Sequence, residues 1–315
     1  MRRVLPGRRF ATRVPILVLA ALLRIAEAQQ GSYPKPDLRV DVSLAMIPVT
    51  VTDSRGTPVP GLSREHFRLF VDGVEQKIVF VAGEDVPVSV CLVFDLSSSM
   101  KDKMATASHG AISLLRSFDH PDDEFALVVF GERPTVAVPF TRDVGEIEEK
   151  LNGARTLGRT SLFDAIHVAM AQLRTAHTRR RVMVIVSDGG DNHSRLTKAG
   201  VQRDLRESDV QIQAMSLHHH DGSLRSMLAL EEQNGALLLA AMAAETGGRH
   251  VDLMRLKDLS ATCARIAREL HNQYVLGYVP QAQDGSLHRV KIVVAAPDSR
   301  PWTVQYRREI FTPKP

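Results

Sequence analysis

The strongest fold signal in the chain is the segment Val88-Ser89-Val90-Cys91-Leu92-Val93-Phe94-Asp95-Leu96-Ser97-Ser98-Ser99. Its first seven residues are almost continuously apolar, which is typical of a β-strand that is covered on both faces. Asp95 follows directly, and Ser97 and Ser99 occupy alternate positions after it. In an open α/β sheet the carboxyl ends of the strands form the ligand-binding crevice. The segment therefore predicts a buried strand that delivers one carboxylate and two hydroxyl groups to that crevice.

Strands and helices alternate after this segment. Apolar runs predict strands at 125–130, 182–186, 210–217 and 249–252, and an antiparallel edge strand at 135–140. Apolar residues at helical spacing, or charged and polar helical stretches, predict helices at 101–118, 144–151, 162–173, 198–207, 236–245 and 259–270. This alternation implies an α/β fold with a doubly wound, mostly parallel sheet and helices on both faces.

Both ends of the chain carry strand patterns instead. Alternating residues run through 38–83, where the Asp72-Gly73 turn predicts a hairpin between 67–71 and 74–81. The tail predicts three more strands, at 274–279, 288–295 and 302–307. We expect these flanking β segments to pair into a small sandwich. The expected organisation is a signal peptide (1–28), an N-terminal β segment (29–85), the α/β domain (86–272) and a C-terminal β segment (273–315).

The first 28 residues have the pattern of a secretory signal peptide. An arginine-rich start leads into an apolar run at 14–23, and Ala26-Glu27-Ala28 provides a small-x-small cleavage site. An uncleaved anchor is the weaker alternative, because about ten apolar residues fall short of the ~20 that span a bilayer. We expect a mature chain that begins near Gln29, has no stable membrane span, and lies in the periplasm, on the cell surface or outside the cell.

The basic charge of the chain belongs to this N-terminus. The formal net charge over 315 residues is +4, from 40 Lys and Arg against 36 Asp and Glu. Without the first 28 residues, which hold six arginines and one glutamate, the count is 34 basic against 35 acidic residues. The basic run Arg179-Arg180-Arg181 has too few aromatic neighbours for a nucleic-acid surface. We therefore expect no nucleic-acid partner.

Two further junctions between a strand or loop and a helix add oxygen ligands. Thr160 precedes the helix predicted at 162–173, and Asp188 follows the strand predicted at 182–186. With Asp95, Ser97 and Ser99 they offer two carboxylates and three hydroxyl groups, all hard oxygen donors. The alternative is that Asp95, Ser97 and Ser99 only cap the following helix, as Ser and Asp commonly do. The occurrence of the Thr and Asp partners in order favours a metal site.

Together these residues resemble the metal-ion-dependent adhesion site of the von Willebrand factor A family, with a likeness that covers about 86–272. The resemblance implies that Ser97, Ser99 and Thr160 bind a divalent cation directly, and that Asp95 and Asp188 balance its charge and act through water. It implies Mg²⁺, or else Mn²⁺ or Ca²⁺. It also implies a protein partner that presents an Asp or Glu carboxylate to the ion.

A closer likeness extends over nearly the whole mature chain. The hairpin at 67–81, the run Ser187-Asp188-Gly189 to Asn192, and the segment Gln273-Tyr274-Val275-Leu276-Gly277-Tyr278-Val279-Pro280 resemble the acidobacterial-type exported VWFA-related proteins. The expected function is an exported, metal-dependent protein-binding or adhesion module and not an enzyme. The alternative is a structural module of the cell envelope in which the cation only stabilises the domain.

Other motifs are weaker. The stretch 153–160 differs from a P-loop by Arg159 in place of Lys, but a P-loop follows a buried strand directly and 144–151 predicts a charged helix. We therefore expect no nucleotide. The cluster His218-His219-His220-Asp221 is either a transition-metal site or, more simply, a solvated loop. The cysteines, Cys91 and Cys263, are either two separately buried thiols or, less simply, one disulfide.

Overall fold

The computed structural model describes residues 44–83, 86–188, 190–217, 226–253, 258–295 and 301–314, with the backbone alone for 226–233. The predicted signal peptide, the strand positions before Leu44 and the histidine cluster at 218–220 lie outside the described residues. All described residues belong to one compact unit, Ser43–Pro315. No described helix is both long enough and apolar enough to cross a bilayer.

A six-stranded sheet lies at the centre of the fold. Its strands are β5 (Val88–Asp95), β6 (Glu124–Phe130), β7 (Thr135–Thr141), β8 (Arg180–Ser187), β9 (Gln211–Leu217) and β10 (His250–Leu253). They are ordered β10-β9-β8-β5-β6-β7. All neighbours are parallel except β7, which pairs antiparallel with β6 at the edge. Every residue of β5 is buried, as its continuous apolar run predicts.

In the part of the chain that the structure describes, six α-helices cover the two faces of this sheet. They are α1 (Met104–Leu115), α2 (Val144–Asn152), α3 (Leu162–Arg174), α4 (Lys198–Glu207), α5 (Ser226–Glu245) and α6 (Leu259–His271). Apolar side chains of α1, α2 and α6 share one core cluster with alternate residues of β5, and those of α3, α4 and α5 share a second cluster on the opposite face. The mostly parallel, doubly wound α/β fold is therefore confirmed.

The flanking segments form two antiparallel sheets around a third core cluster. Their strands are β1 (Ala45–Thr52), β2 (Phe67–Val71), β3 (Val74–Gln76), β4 (Ile78–Ala82), β11 (Tyr274–Tyr278), β12 (Ser286–Val294), β13 (Thr303–Tyr306) and β14 (Glu309–Thr312). One sheet has the order β13-β1-β11-β4 and the other β14-β12-β2-β3. Each sheet contains strands from both ends of the chain, so the expected pairing into a sandwich is confirmed. Buried residues such as Val49, Leu69 and Leu276 fill the space between the sheets.

Three local predictions differ from the structure. The return strand of the hairpin divides at Lys77, because Val74–Gln76 pairs with β2 whereas Ile78–Ala82 crosses to the other sheet and pairs with β11. The helix expected from residue 236 begins ten residues earlier, at Ser226. The tail contains a fourth strand, β14, which pairs with β12.

The two cysteines are free and fully buried. Cys91 belongs to the core cluster on one face of the central sheet and Cys263 to the cluster on the other. The interpretation as two separate buried thiols therefore agrees with the structure, because the sheet lies between them. Burial raises the pKa of both thiols.

Candidate metal site at the carboxyl edge of the central sheet

The carboxylate of Asp95 ends the central strand and is fully buried. Its Oδ1 accepts a hydrogen bond from the backbone N–H of Ser97 at 2.7 Å. Its Oδ2 accepts one from the hydroxyl of Ser187 at 2.6 Å. The parallel pairing of β5 with β8, with Phe94 opposite Val186, brings these two strand ends side by side. The side chain of Asp95 is therefore held between its own loop and the neighbouring strand.

The two serines that follow Asp95 have their hydroxyl groups together. Ser97 is 1% exposed, whereas Ser99 is exposed at the surface. Their Oγ atoms are 3.0 Å apart. Ser97 stands at the N-cap of the short 3-10 helix Ser98–Met100, but its side chain makes no capping hydrogen bond. The capping alternative therefore does not account for the Ser97 hydroxyl, although Asp95 does satisfy a backbone amide of the turn.

Thr160 is brought to this edge by backbone hydrogen bonds among three loops. The loop before it is joined to the Asp95 loop, since Leu157 N donates to Leu96 O at 2.8 Å. On its other side, the N–H of Thr160 donates to Asn192 Oδ1 at 3.0 Å, and the N–H of Asn192 donates back to Thr160 O at 3.0 Å. Thr160 is 5% exposed. Hydrogen bonds thus join the three loops that carry the predicted residues.

Asp188 follows β8 and is 3% exposed. Its Oδ2 is 3.1 Å from the ammonium nitrogen of Lys103, and both side chains are almost fully inaccessible to solvent. Burial and the nearby charge of Asp188 raise the pKa of the Asp95 carboxyl, and the hydrogen bonds from Ser187 and Ser97 oppose this shift. The site therefore concentrates two carboxylates and one ammonium, a net charge of −1 when all three are ionised.

Lys103, Ser187 and Asn192 also belong to the site, although no role for them was predicted from the sequence. Ser187 and Asn192 hold Asp95 and Thr160 in place through hydrogen bonds. A signal for Lys103 was present, since it precedes Ala107 and Ala111 by one and two helical turns and so belongs to the buried stripe of that helix. A lysine at the start of an apolar stripe indicates a buried partner of opposite charge.

The donor set fits a hard divalent cation. Carboxylate and hydroxyl oxygens suit Mg²⁺, Mn²⁺ and Ca²⁺, and soft or imidazole ligands are better suited to other metals. Within the described residues, no group of three or more His, Cys, Asp or Glu side chains could hold a metal ion. A cation here would depend on hydroxyl groups in addition to the two carboxylates. The charge of Asp188 raises the pKa of the buried Asp95 carboxyl, and a bound cation would offset that repulsion.

Several solved structures are similar to part of this chain at low sequence identity. A von Willebrand factor type A protein from Catenulispora acidiphila is 13% identical, with a TM-score of 0.47 over 85% of this chain and 72% of that one. An aerotolerance-related membrane protein from Bacteroides fragilis is 16% identical, with a TM-score of 0.46 over 58% of this chain and 98% of that one. Proximal thread matrix protein 1 from the mussel byssus, with a zinc-occupied MIDAS motif, is 17% identical, with a TM-score of 0.49 over 63% and 49%.

Curated protein sequences gave no significant match. A family model gives the more direct assignment. Residues 90–190 match the model described as von Willebrand factor type A domain. The matched range begins inside β5 and ends after β8, so it contains both strand ends that carry the buried carboxylates. Over this range, which covers the central strands and the loops of the candidate site, the chain is similar to the von Willebrand factor type A domain.

Proposed function

We propose that this protein is exported and binds partner proteins through a divalent cation held at the carboxyl edge of its central sheet. The ligand set is Asp95, Ser97, Ser99, Thr160 and Asp188. The observation that carries the proposal is that the buried carboxylates of Asp95 and Asp188 stand at the ends of two neighbouring parallel strands, close enough for the charge of Asp188 to raise the pKa of Asp95. We assign the α/β domain to 86–272, and the N-terminal 28 residues to a signal peptide that is removed on export.

The chemistry of the ligands favours capture of a carboxylate. Mg²⁺ prefers about six oxygen ligands and gives up its waters reluctantly. Neutral hydroxyl ligands neutralise less of its charge than carboxylates would, so the ion stays a strong acceptor for a further anionic oxygen. A partner that offers an Asp or Glu side chain supplies such an oxygen. In this proposal the chain's own residues bind and orient the cation, and the exposed side of the site, near Ser99, receives the partner.

Cation binding is tested by calorimetric titration of the purified protein with Mg²⁺, Mn²⁺ and Ca²⁺. The test variant is Ser97→Ala/Ser99→Ala, and the matched control is Ser98→Ala, which changes the exposed serine between them. We expect saturable binding to the unmodified protein and to the control, and a loss of about tenfold or more in the test variant. Absence of binding to the unmodified protein would overturn the proposal.

Carboxylate capture is tested with the Mn²⁺-loaded protein. Acetate that replaces a bound water lowers the paramagnetic enhancement of water-proton relaxation, and acetamide, which has the same shape without the charge, does not. We expect a saturable decrease with acetate alone. A cation that binds and raises the melting temperature but shows no acetate effect would instead support a structural envelope module.

A further inference from the structure

Lys103 is the feature of this site that the proposed function does not explain. Its side chain is 2% exposed and that of Asp188 is 5% exposed, with 3.1 Å between Nζ and Oδ2. Lysine is almost never fully buried unless it is paired. Taking two charges out of water costs more than a typical ion pair returns, so an apolar residue is commonly as good or better for stability alone.

The location of Lys103 makes an apolar residue the simpler choice there. It stands immediately before α1, on the stripe that continues through the buried residues Ala107, Ala111 and Leu114. A methionine would extend that stripe and fill a similar volume. The ammonium pairs with the carboxylate of Asp188, a role that the packing of the helix does not require.

We propose that Lys103 is a built-in counter-ion of the cation site, which compensates Asp188 while the site is empty and weakens the affinity for the divalent cation. The inference rests on the proposed function. With the ammonium present, the two carboxylates leave a net charge of −1 for the incoming ion. Without it, the same carboxylates present −2. Because Coulomb interactions between partly buried groups are weakly screened, one extra positive charge beside the ligands opposes a doubly charged ion strongly.

Two consequences follow for the behaviour of the site. The empty site stays folded, because the buried Asp188 keeps a partner of opposite charge. Loading with cation depends on the ambient concentration, because the lysine holds the affinity below what five oxygen ligands would otherwise give. The ammonium thus keeps cation binding reversible, and the protein stays folded when the site is empty.

The experiment compares Lys103→Met with Lys101→Met, an exposed lysine two residues earlier, and with the unmodified protein. Melting temperatures are measured in chelator, and Mn²⁺ and Mg²⁺ dissociation constants by calorimetry. For Lys103→Met we expect a lower melting temperature in chelator, a dissociation constant about tenfold or more tighter, and a larger stabilisation by the cation. Lys101→Met is expected to match the unmodified protein in all three.

A second variant keeps the test decisive if Lys103→Met folds poorly without cation. Lys103→Met/Asp188→Asn removes both charges, so it is expected to regain the melting temperature in chelator but not the tight cation binding. Unchanged or weaker cation binding in Lys103→Met, when the unmodified protein binds, would overturn this inference alone. Absence of cation binding in both the unmodified protein and Lys103→Met would overturn the proposed function and this inference together.

Discussion

The two ends of the central sheet each bury a cationic side chain, but they neutralise it differently. At the carboxyl edge, Lys103 lies beside the carboxylate of Asp188. At the amino edge, the guanidinium of Arg180 donates to the backbone oxygen of Leu270 and, at 3.2 Å, to Oε1 of Gln273. Arg180 is 6% exposed, and burial lowers its pKa to about 10, so it stays charged at neutral pH.

The two buried cations have different partners, and this difference separates a structural role from a role in binding. The hydrogen-bond partners of Arg180 are the neutral oxygens of Val86, Leu270 and Gln273, and the charge of Asp123 nearby opposes the lowering of its pKa. These hydrogen bonds tie the end of α6 and the connection to β11 to the start of β8. No incoming ion competes for them. The partner of Lys103 is an anion that a stronger cation can also bind. The buried cation at the amino edge therefore stabilises the fold. At the carboxyl edge, a divalent cation can take the place of the Lys103 ammonium as the partner of Asp188.

The largest expected effect is on cation binding, in Asp95→Asn. The amide keeps the shape of the side chain and an acceptor for the Ser97 N–H, but it removes one of the two negative charges. We expect cation affinity to fall about 100-fold or more, while the melting temperature in chelator stays the same or rises, because the repulsion with Asp188 is relieved. Calorimetry and thermal melts check both. Retention of binding would show that the carboxylate of Asp95 is not part of the site.

Next in size is the loss of stability from Arg180→Met. It leaves the backbone oxygen of Leu270 and the side chain of Gln273 buried without their donor, which costs about 2–4 kcal/mol of unfolding free energy. The cation dissociation constant is expected to stay unchanged. Arg179→Met, at the exposed neighbour, is the control and should leave stability unaltered. Chemical denaturation in chelator measures the first effect. A change in cation affinity would show that the two ends are coupled.

Two buried serines, one at each end of the central sheet, test the same difference between the two ends, with smaller expected effects on stability and cation binding. Ser187 donates to Asp95 at the carboxyl edge, and Ser89 donates to Oε1 of Glu124 at 2.6 Å at the amino edge. Each substitution by Ala is expected to cost about 1–2 kcal/mol of stability. Only Ser187→Ala is expected to weaken cation binding as well, by about tenfold. Equal cation affinities in the two variants would contradict the division of roles between the ends.

The sequence predicts the carboxyl edge well for a topological reason. Parallel strands place all their carboxyl ends on one side, so Asp95 and Asp188 meet there whatever the lengths of the connections between them. The topology does not predict the position of Lys103. Its neighbours Lys101 and Asp102 are polar, and the three residues together have the pattern of a solvated turn. The apolar stripe of α1 indicates the buried face on which Lys103 lies, but the packing of α1 over β5 is what places its ammonium beside Asp188.

The flanking sheets are harder to predict because their pairing is long-range. The Asp72-Gly73 turn correctly marks a hairpin, but only as far as Gln76, since the stretch from Ile78 pairs with a strand about 200 residues later. The additional tail strand, β14, was missed for a similar reason, because a long-range contact lies at its start. The guanidinium of Arg307 is buried against the backbone oxygens of Leu205 and Ser208, which separates β13 from β14. The break between β13 and β14 therefore coincides with a contact to the end of α4.

The smallest expected effect lies in the sandwich, and it separates the pH dependence of the fold from that of the cation site. The hydrogen bond from His288 to Asp72, 2.7 Å long, raises the pKa of the imidazole above 6.5, with a further contribution from Asp284. A raised pKa means that the folded state holds the proton more tightly than the unfolded state. The resulting stabilisation is complete below pH 6.5 and is lost as the pH rises through the folded pKa. In chelator we expect the melting temperature to fall by no more than about 2 °C across that window, and His288→Gln to remove the slope. A slope that persists in His288→Gln would assign the pH dependence to another group of the molecule.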